Sequence, residues 1–373
     1  MTRMTKKLTF FVICLTTLIM TQAVFARGVD FGKSGDPIHL VVGYQPYYTE
    51  SWSGVVNNGK QLWKKYLPAG STVEFQVGLQ GSVIVRAMAR KRQHIGYMGD
   101  MPAIASTFRY LKQRGGTDIR IVSVLGTSKQ QCNVFLVRND APQFANGLEA
   151  VKWMNGKIVA APHGACTDRF ARLAFPKAGI KPKHYMNQNI QLITKNLSRG
   201  KLDAAAIWEP TASKIVKEGL ARRAASGEDF DALDGGFMVM LHDLMVQRPD
   251  VYEAWLRAEL DAQLFMADST NADEIITMAK AQTENISQEI LWHSLYGNYP
   301  ENQGGGDIKI QFDFIVTERV QKLLDNATQF LYGLRRKPAA APTIREGGVS
   351  DEMARKILKE KGLTSPLGVI KAH

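Results

Sequence analysis

The sequence predicts an α/β fold with largely parallel sheets, built as two folding units or as one two-lobed unit. An apolar strand, a short loop with Gly or small polar residues, and an amphipathic helix recur along the chain up to about residue 239. The length of 373 residues exceeds what a single hydrophobic core usually holds. Hydrophobic residues make up 45% of the chain and aromatic residues 9%, which is ordinary for a globular protein.

Apolar periodicity places the elements in order. The first N-terminal unit is a strand at 38–44, a loop at 45–54 and a helix at 55–66. The second is a strand at 72–78 with a helix from Ser82, and the third is "HIGYMG" as a strand with a helix opening at Asp100. The pattern continues with strands at 119–126, 133–138 and 157–162, and the last of these leads into a helix that ends at about Lys177. "NIQLI" follows as a strand with a helix at about 195–200, and a strand at 202–208 leads into a helix opening at Glu209-Pro210.

The remainder of the chain is mostly helical by pattern. Helices are predicted over 249–332, with a loop near 299–307, a linker at 337–342 and a final helix at about 350–361.

Residues 1–26 are predicted to be a cleavable signal peptide. Basic residues precede an apolar run at 8–20 that is short for a membrane span, and "VFA" (24–26) offers a cleavage site. Export to a bacterial periplasm is therefore expected. The formal net charge of +12 favours an anionic ligand, while export argues against nucleic acid.

The stretch "PHGACTDRFARLAF" (162–175) supports two interpretations. His163, Cys166 and Asp168 resemble a nucleophile, a base and an orienting carboxylate, so an exported cysteine hydrolase or transferase is one hypothesis. The favoured alternative is a tight turn at Gly164 followed by a helix start, whose free N–H groups and positive dipole suit an anion. Gly81-Ser82 and Gly99-Asp100 repeat this arrangement after other strands, which indicates a shared cleft.

The residue pattern gives little support for a metal site, a cofactor or a catalytic site. The chain has no H-E-x-x-H, C-x-x-C, Walker-type or G-x-S-x-G motif, and the seven His are scattered, so no metal, cofactor or catalytic residue is expected. Cys132 and Cys166 would remain after cleavage, and their pairing stays open. Tyr44, Tyr47, Tyr48 and Trp52 follow the first strand, and Trp208-Glu209 closes a later one, where Glu209 is a candidate acceptor for a ligand amine.

Five segments resemble the periplasmic substrate-binding proteins of ABC importers for nitrate, sulfonates and taurine, with their pyrimidine-binding relatives. They are "IHLVVGYQP", "GLQGSVIVRAMARKRQHIGYMGDMPAIA", "NGKIVAAPHGACTDRFARLAFPKAGI", "LSRGKLDAAAIWEP" and "MVQRPDVYEAWLRA", in the family's order. The resemblance implies a type II two-lobed fold with a mostly parallel sheet in each lobe and a two-strand hinge. The implied boundaries are lobe 1 at 36–127 plus 240–345, lobe 2 at 128–239, and a C-terminal extension at 346–373.

The resemblance also implies the site. Its candidate ligand-binding residues are Gln45, Tyr47, Tyr48, Ser82, Gly99, Asp100, Met101, Gly164, Cys166, Thr167, Trp208 and Glu209. The expected ligand is a small organic anion, a sulfonate such as taurine or an alkanesulfonate; an aromatic anion, nitrate or a pyrimidine is the alternative. The expected partners are an ABC permease and its ATPase, with a membrane sensor as the alternative, and the expected oligomeric state is a monomer. Relatives often carry Ser-Ser or Ser-Thr where this chain has Ala165-Cys166, which leaves the ligand open.

Overall fold

Two β-sheets organise the structure, a computed structural model that describes residues 29–111, 116–334 and 343–373. All of the helices and strands named below lie in one unit, Gly32–His373. The expected signal peptide (1–26) and linker (337–342) lie outside the described residues. In the described part of the chain, none of the helices combines the length and the apolarity that crossing a membrane requires.

The larger sheet has seven strands in the order β12-β11-β4-β10-β3-β1-β2, and the smaller has five in the order β7-β6-β8-β5-β9. The strands of the larger sheet are β1 (His39–Tyr44), β2 (Thr72–Val77), β3 (Ile95–Gly99), β4 (Ile119–Ser128), β10 (Asp234–Leu241), β11 (Ile308–Phe312) and β12 (Gly368–Lys371). Those of the smaller sheet are β5 (Val134–Val137), β6 (Ile158–Ala161), β7 (His184–Asn187), β8 (Ala204–Ile207) and β9 (Arg222–Ser226).

The described residues form thirteen α-helices. They are α1 (Trp52–Lys60), α2 (Gly81–Ala89), α3 (Asp100–Arg109), α4 (Gly147–Trp153), α5 (Cys166–Lys177), α6 (Ile190–Ser198), α7 (Thr211–Lys217), α8 (His242–Gln247), α9 (Pro249–Ala267), α10 (Ala272–Ala281), α11 (Gln288–Tyr296), α12 (Glu318–Gly333) and α13 (Glu352–Lys361).

The two-lobed α/β fold is confirmed, but each sheet is mixed rather than mostly parallel. Only β2-β1-β3 and β7-β6-β8 pair in parallel, while the pairs made by β10, β5 and β11 are antiparallel. A parallel neighbour needs a crossover connection, which the strand–helix units supply. β5 and β10 instead follow directly from the passages between the sheets, so they enter in the opposite sense.

The chain passes between the two sheets twice, once after β4 and once before β10. It leaves the larger sheet at the end of β4 and enters the smaller at β5, through residues 129–133; it returns between β9 and β10, through 227–233. β4 and β10 are antiparallel neighbours in the larger sheet. The two connections therefore lie side by side, as a two-strand hinge requires.

The smaller sheet is buried on both faces. Phe135 and Val137 of β5 pack with Phe170 of α5 on one side, whereas Val134 and Leu136 pack with residues of α6 and α7 on the other. Since side chains alternate along a strand, a run that is apolar at every position indicates a strand covered by helices on both sides.

Several local predictions differ from the structure. "NIQLI" is not a strand: it opens α6, where the Asn189 side chain accepts a hydrogen bond from Leu192 N at 2.9 Å. The strand before it is β7, which the apolar pattern did not show because its residues are mostly exposed. The first helix begins at Trp52 and ends at Lys60, followed by a short 3-10 turn, instead of running over 55–66.

The C-terminal part of the chain also contributes to the larger sheet. β11 lies within the region predicted to be helical, and β12 lies within the predicted extension at 346–373. The two strands pair with each other and β11 pairs with β4. Short strands of this kind have little periodicity to detect, so the sequence missed both.

Candidate functional site

A cavity lies between loops of the two lobes, where several strands end. Its cavity volume is about 80 Å³, and the space between its lining residues, with the open solvent at its mouth, is about 520 Å³. The larger sheet's lobe contributes Gln45, Tyr48, Gln80, Gly81, Ser82, Gly99 and Pro102. The smaller sheet's lobe contributes Pro162, His163, Gly164, Ala165, Cys166 and Trp208. We call it the helix-start cavity, for the feature described next.

Three α-helices begin at this cavity. The first residues of α2 and α5, Gly81 and Cys166, line it, and so does Gly99, which directly precedes α3. The N-cap residues of these three helices make no side-chain capping bond, whereas Asn or Ser caps helices elsewhere, such as α6 and α11. In α3, however, the Asp100 side chain accepts a hydrogen bond from Met101 N at 2.6 Å. The uncapped first turns of α2 and α5, at the positive ends of their helix dipoles, favour an anion.

The polar side chains in the cavity include groups without a partner. Gln45 is only 5% exposed, and its side-chain amide makes no hydrogen bond within the described part of the chain. The buried Nε2 of His163 also has no hydrogen-bond partner. Burial lowers the pKa of His163, so its imidazole is neutral near pH 7. A buried polar group normally has a partner, and a ligand bound here would supply one.

The cavity brings together seven of the twelve predicted site residues. They are Gln45, Tyr48, Ser82, Gly99, Gly164, Cys166 and Trp208. Gly164 has a φ of +79°, a conformation that favours glycine and lets the chain turn from β6 into α5. Six lining residues were not among the twelve ligand-binding candidates: Gln80, Gly81, Pro102, Pro162, His163 and Ala165. Of these, Gly81 was predicted at a helix start facing the cleft, and His163 belonged to the alternative catalytic hypothesis. All six flank predicted positions in the same strand–helix connections, so considering whole loops would have found them.

Glu209 lies outside this lining. It is 1% exposed and pairs with the equally buried Arg223 at 3.2 Å. Its Oε2 also accepts a hydrogen bond from Ser213 N at 2.8 Å. Because these contacts occupy both carboxylate oxygens inside the protein, Glu209 is not placed to accept a ligand amine. The sequence showed the acid at the strand end but not the distant Arg that binds it.

Tyr47, Met101 and Thr167 also lie outside the lining. The backbone carbonyl of Tyr47 accepts a hydrogen bond from Trp208 Nε1 at 3.1 Å, which joins the two lobes beside the cavity. Met101 and Thr167 are fully buried in the first turns of α3 and α5.

Asp100, the twelfth predicted residue, forms a buried ion pair behind the cavity. Its Oδ2 accepts a hydrogen bond from Arg169 Nη2 at 2.5 Å, with side-chain exposures of 0% and 8%. Arg169 Nη2 also donates to Leu233 O at 2.8 Å, in the returning connection between the sheets. Since Asp100 begins α3 and Arg169 lies on α5, the pair links one lobe to the other.

Two further acids lie close to this ion pair. Glu50 and Asp234 are buried, and the Tyr48 hydroxyl donates a hydrogen bond to Glu50. Burial, reinforced by the neighbouring carboxylates, raises the pKa of Glu50 and the pKa of Asp234 well above their ordinary values. Arg169 opposes the rise at Asp234. The group therefore tends to retain protons, which limits negative charge behind an anion site.

These raised pKa values predict a dependence of stability on pH. Above about pH 4 an unfolded carboxyl loses its proton while Asp234 retains it, so unfolding releases protons and the free energy of unfolding falls as pH rises. Asp234→Asn should reduce this fall, measured by urea unfolding at pH 5 and pH 8. The control Asp307→Asn, at an exposed acid, should keep the wild-type slope. Equal slopes in all three proteins would contradict the prediction.

Cys132 and Cys166 form a disulfide, which answers the question that the sequence left open. Their Cα atoms lie 6.2 Å apart, and the bond joins residues separated by 34 positions. It ties the connection between β4 and β5 to the start of α5. Asp234 has an oxygen within 4.8 Å of both sulfurs, but sulfurs bonded to each other are not thiolate ligands for a metal. The cysteine-nucleophile hypothesis fails for the same reason, since catalysis needs a free thiolate.

No family model matches the chain, but individual proteins are similar to it in sequence. A protein of Brucella abortus strain 2308, named as a binding protein, is 22% identical over 261 residues, covering 68% of this chain and 76% of its own. The taurine-binding periplasmic protein of Escherichia coli K12 is 26% identical over 200 residues, covering 52% and 58%.

Solved structures share the fold. The alkanesulfonate-binding protein SsuA of Xanthomonas axonopodis, bound to MOPS, has a TM-score of 0.64 at 18% identity, covering 84% of this chain and 99% of its own. The nitrate-binding protein NrtA of Synechocystis PCC 6803 has a TM-score of 0.67 at 16% identity, covering 89% and 92%. The desulfurization enzyme DszB has the same fold, with a TM-score of 0.58 at 14% identity, but its likeness extends to the fold alone.

The matches by sequence are to binding proteins and not to enzymes. The chain shares the fold of the type II periplasmic binding proteins, and the proteins it is similar to include sulfonate-, taurine- and nitrate-binding ones.

Proposed function

We propose that this protein is the solute-binding component of an ABC importer, and that it captures a small organic anion in the helix-start cavity by closure of the two lobes. One observation carries the proposal: the uncapped N-termini of α2 and α5 meet at one cavity, which the start of α3 also borders. Preformed donors of this kind replace the water shell of an anion without needing a cationic side chain. The unpartnered amide of Gln45 supplies a further donor.

The cavity favours a sulfonate without an amino group. Among the described residues that line it there is no Asp, Glu, Lys or Arg. An ammonium group such as that of taurine would lose its water shell without gaining an anionic partner, which is costly. The one acid predicted for this role, Glu209, is paired with Arg223. The substrate class proposed is therefore an alkyl or aryl sulfonate, or another organic anion of similar shape.

Thermal unfolding in the presence of candidate ligands tests the proposal. Methanesulfonate and ethanesulfonate should raise the melting temperature, and taurine should raise it less. A ligand at a hundred times its dissociation constant adds about 2.7 kcal/mol to the free energy of unfolding, which is an easily measured shift. No shift with any sulfonate, carboxylate or nitrate would overturn the proposal.

A substitution at Gln45 gives a second test. Gln45→Leu removes a donor that we expect to contact the anion, and hydrogen bonds to charged groups contribute about 1.5–3 kcal/mol. The affinity for methanesulfonate, measured by calorimetry, should fall at least tenfold. Gln288→Leu, at an exposed position at the start of α11, is the matched control and should bind as the wild type does. Unchanged affinity in Gln45→Leu would argue against this arrangement of the ligand.

The proposed setting is the periplasm, with an ABC permease and its ATPase as partners. The periplasmic relatives and the N-terminal signal expected at 1–26 support this setting. If the protein serves transport, the ligand-loaded form should stimulate ATP hydrolysis by the permease complex in liposomes. Loaded protein that leaves ATP hydrolysis unchanged would favour the alternative of a membrane sensor as partner.

A further inference from the structure

A second cavity adjoins the helix-start cavity and opens toward the surface. Its cavity volume is about 300 Å³, and it shares Ser82, Pro102, His163 and Gly164 with the helix-start cavity. Its other lining residues are Val85, Met101, Ala105, Arg109, Leu331 and Leu334. We call it the outer cavity. His163, with its unpartnered Nε2, stands at the junction of the two spaces.

The helices that start at the inner space also form the wall of the outer one. On α2, Ser82 is followed one turn later by Val85; on α3, Pro102 is followed by Ala105 and then by Arg109. Residues at these spacings lie on one face of a helix. The polar N-termini of α2 and α3 therefore face the helix-start cavity, and the apolar side chains of their later turns face the outer cavity.

The opposite wall is apolar as well. Leu331 and Leu334, at the end of α12, line the outer cavity, and Leu334 is 40% exposed. The described residues of the outer cavity include one cation, Arg109, and no acid. The Arg109 side chain is exposed and contacts the Tyr110 ring, and it makes no ion pair with a residue that the structure describes. An apolar passage thus leads from the anion-binding end to a cation that has no counter-charge among the described residues.

From these features we infer that the natural ligand is an elongated organic dianion: one anionic group in the helix-start cavity, an apolar middle in the outer cavity, and a second anionic group at Arg109. This inference rests on the proposed function and specifies its ligand. From Asp100 to Arg109 helix α3 rises about 13 Å, at 1.5 Å for each residue. That length suits a chain of several carbons between the two charges.

The test compares four probes by calorimetry: methanesulfonate, hexanesulfonate, α,ω-hexanedisulfonate and hexanol. Burial of methylene groups in the outer cavity should make hexanesulfonate bind at least about tenfold more tightly than methanesulfonate. The disulfonate should bind more tightly again, by about threefold, because an exposed ion pair with Arg109 adds a modest amount. Hexanol, which lacks the anionic group, should bind far more weakly than hexanesulfonate.

Two variants locate the effects. Arg109→Gln should remove the advantage of the disulfonate over hexanesulfonate and leave methanesulfonate binding unchanged. Arg90→Gln, at an exposed arginine just after α2, is the control and should leave all affinities as in the wild type. Ala105→Trp, which fills the outer cavity, should remove the advantage of hexanesulfonate, while Ala105→Ser should preserve it.

The outcomes separate this inference from the proposed function. If methanesulfonate binds but affinity neither rises with chain length nor depends on Arg109, the elongated dianion is overturned and the anion-binding function stands. If hexanol binds as tightly as hexanesulfonate, the site selects apolar ligands and both proposals fail. If no sulfonate binds at all, the proposed function fails, and the inference fails with it.

Discussion

Arg169→Met should lower the free energy of unfolding by about 3–5 kcal/mol, the usual cost of removing one partner from a buried ion pair. Asp100 is 0% exposed and would be left without its ion-pair partner, near the buried Glu50 and Asp234. Met is close to Arg in length and apolar, so the loss would come mainly from the broken ion pair. Urea unfolding at pH 7 measures it.

A matched control separates this effect from the general loss of an arginine. Arg172→Met, one turn further along α5, removes an arginine that is 40% exposed and paired with Asp168 at 2.8 Å. Asp168 would keep its hydrogen bonds from Tyr185 and from Gly164 N, so we expect a loss of about 1 kcal/mol or less. The double variant Asp100→Asn/Arg169→Met should recover part of the stability lost in Arg169→Met. Similar losses in the two single variants would contradict the importance of the ion pair.

Removal of the disulfide should have a comparable effect. Replacing Cys132 and Cys166 with Ala should lower the free energy of unfolding by about 3–4 kcal/mol, the loop-entropy value for residues 34 positions apart. Without the cross-link, the unfolded chain would have a higher conformational entropy. Because Cys166 lines the helix-start cavity and the first turn of α5 would also loosen, the affinity for methanesulfonate should fall as well.

Reductant provides the control for this prediction. Wild-type protein unfolded with a thiol reductant should match the double Ala variant in stability, and the variant itself should not respond to reductant. The measurements require a chain that begins at Arg27, so that Cys14 contributes no thiol. Two thiols that react with maleimide in the unreduced, unfolded wild type would show that the bond does not form.

The order of strands and helices was largely predictable, since apolar periodicity is a local property of the chain. The strand–loop–helix units around Gly81, Gly99 and Gly164 were located to within a residue or two. Five strands were not placed: β7, β9, β10, β11 and β12. β10 was missed although it is long and buried, whereas the signal of three others was weak. β7 is mostly exposed, β11 and β12 are short, and their place in a sheet depends on partners far along the chain.

The residues of the candidate site show the same contrast between local sequence signals and contacts with distant residues. Gln45, Ser82, Gly99 and Cys166, which the resemblance implied as ligand-binding residues, line the cavity. Glu209 and Asp100 occupy comparable positions in the sequence, yet each is bound by an arginine from a different element, Arg223 or Arg169. A motif shows which acids stand at strand ends but not which of them are already neutralised.

The sequence by itself determined the α/β units, the helix starts that face a cleft and the resemblance to anion-binding proteins, because each depends on neighbouring residues. Only the tertiary structure decided that Cys132 bonds to Cys166, that the candidate amine acceptor is occupied by Arg223, and that an apolar passage leads to Arg109. These features depend on which distant side chains come within a few ångströms, and the path of the chain through two sheets sets that.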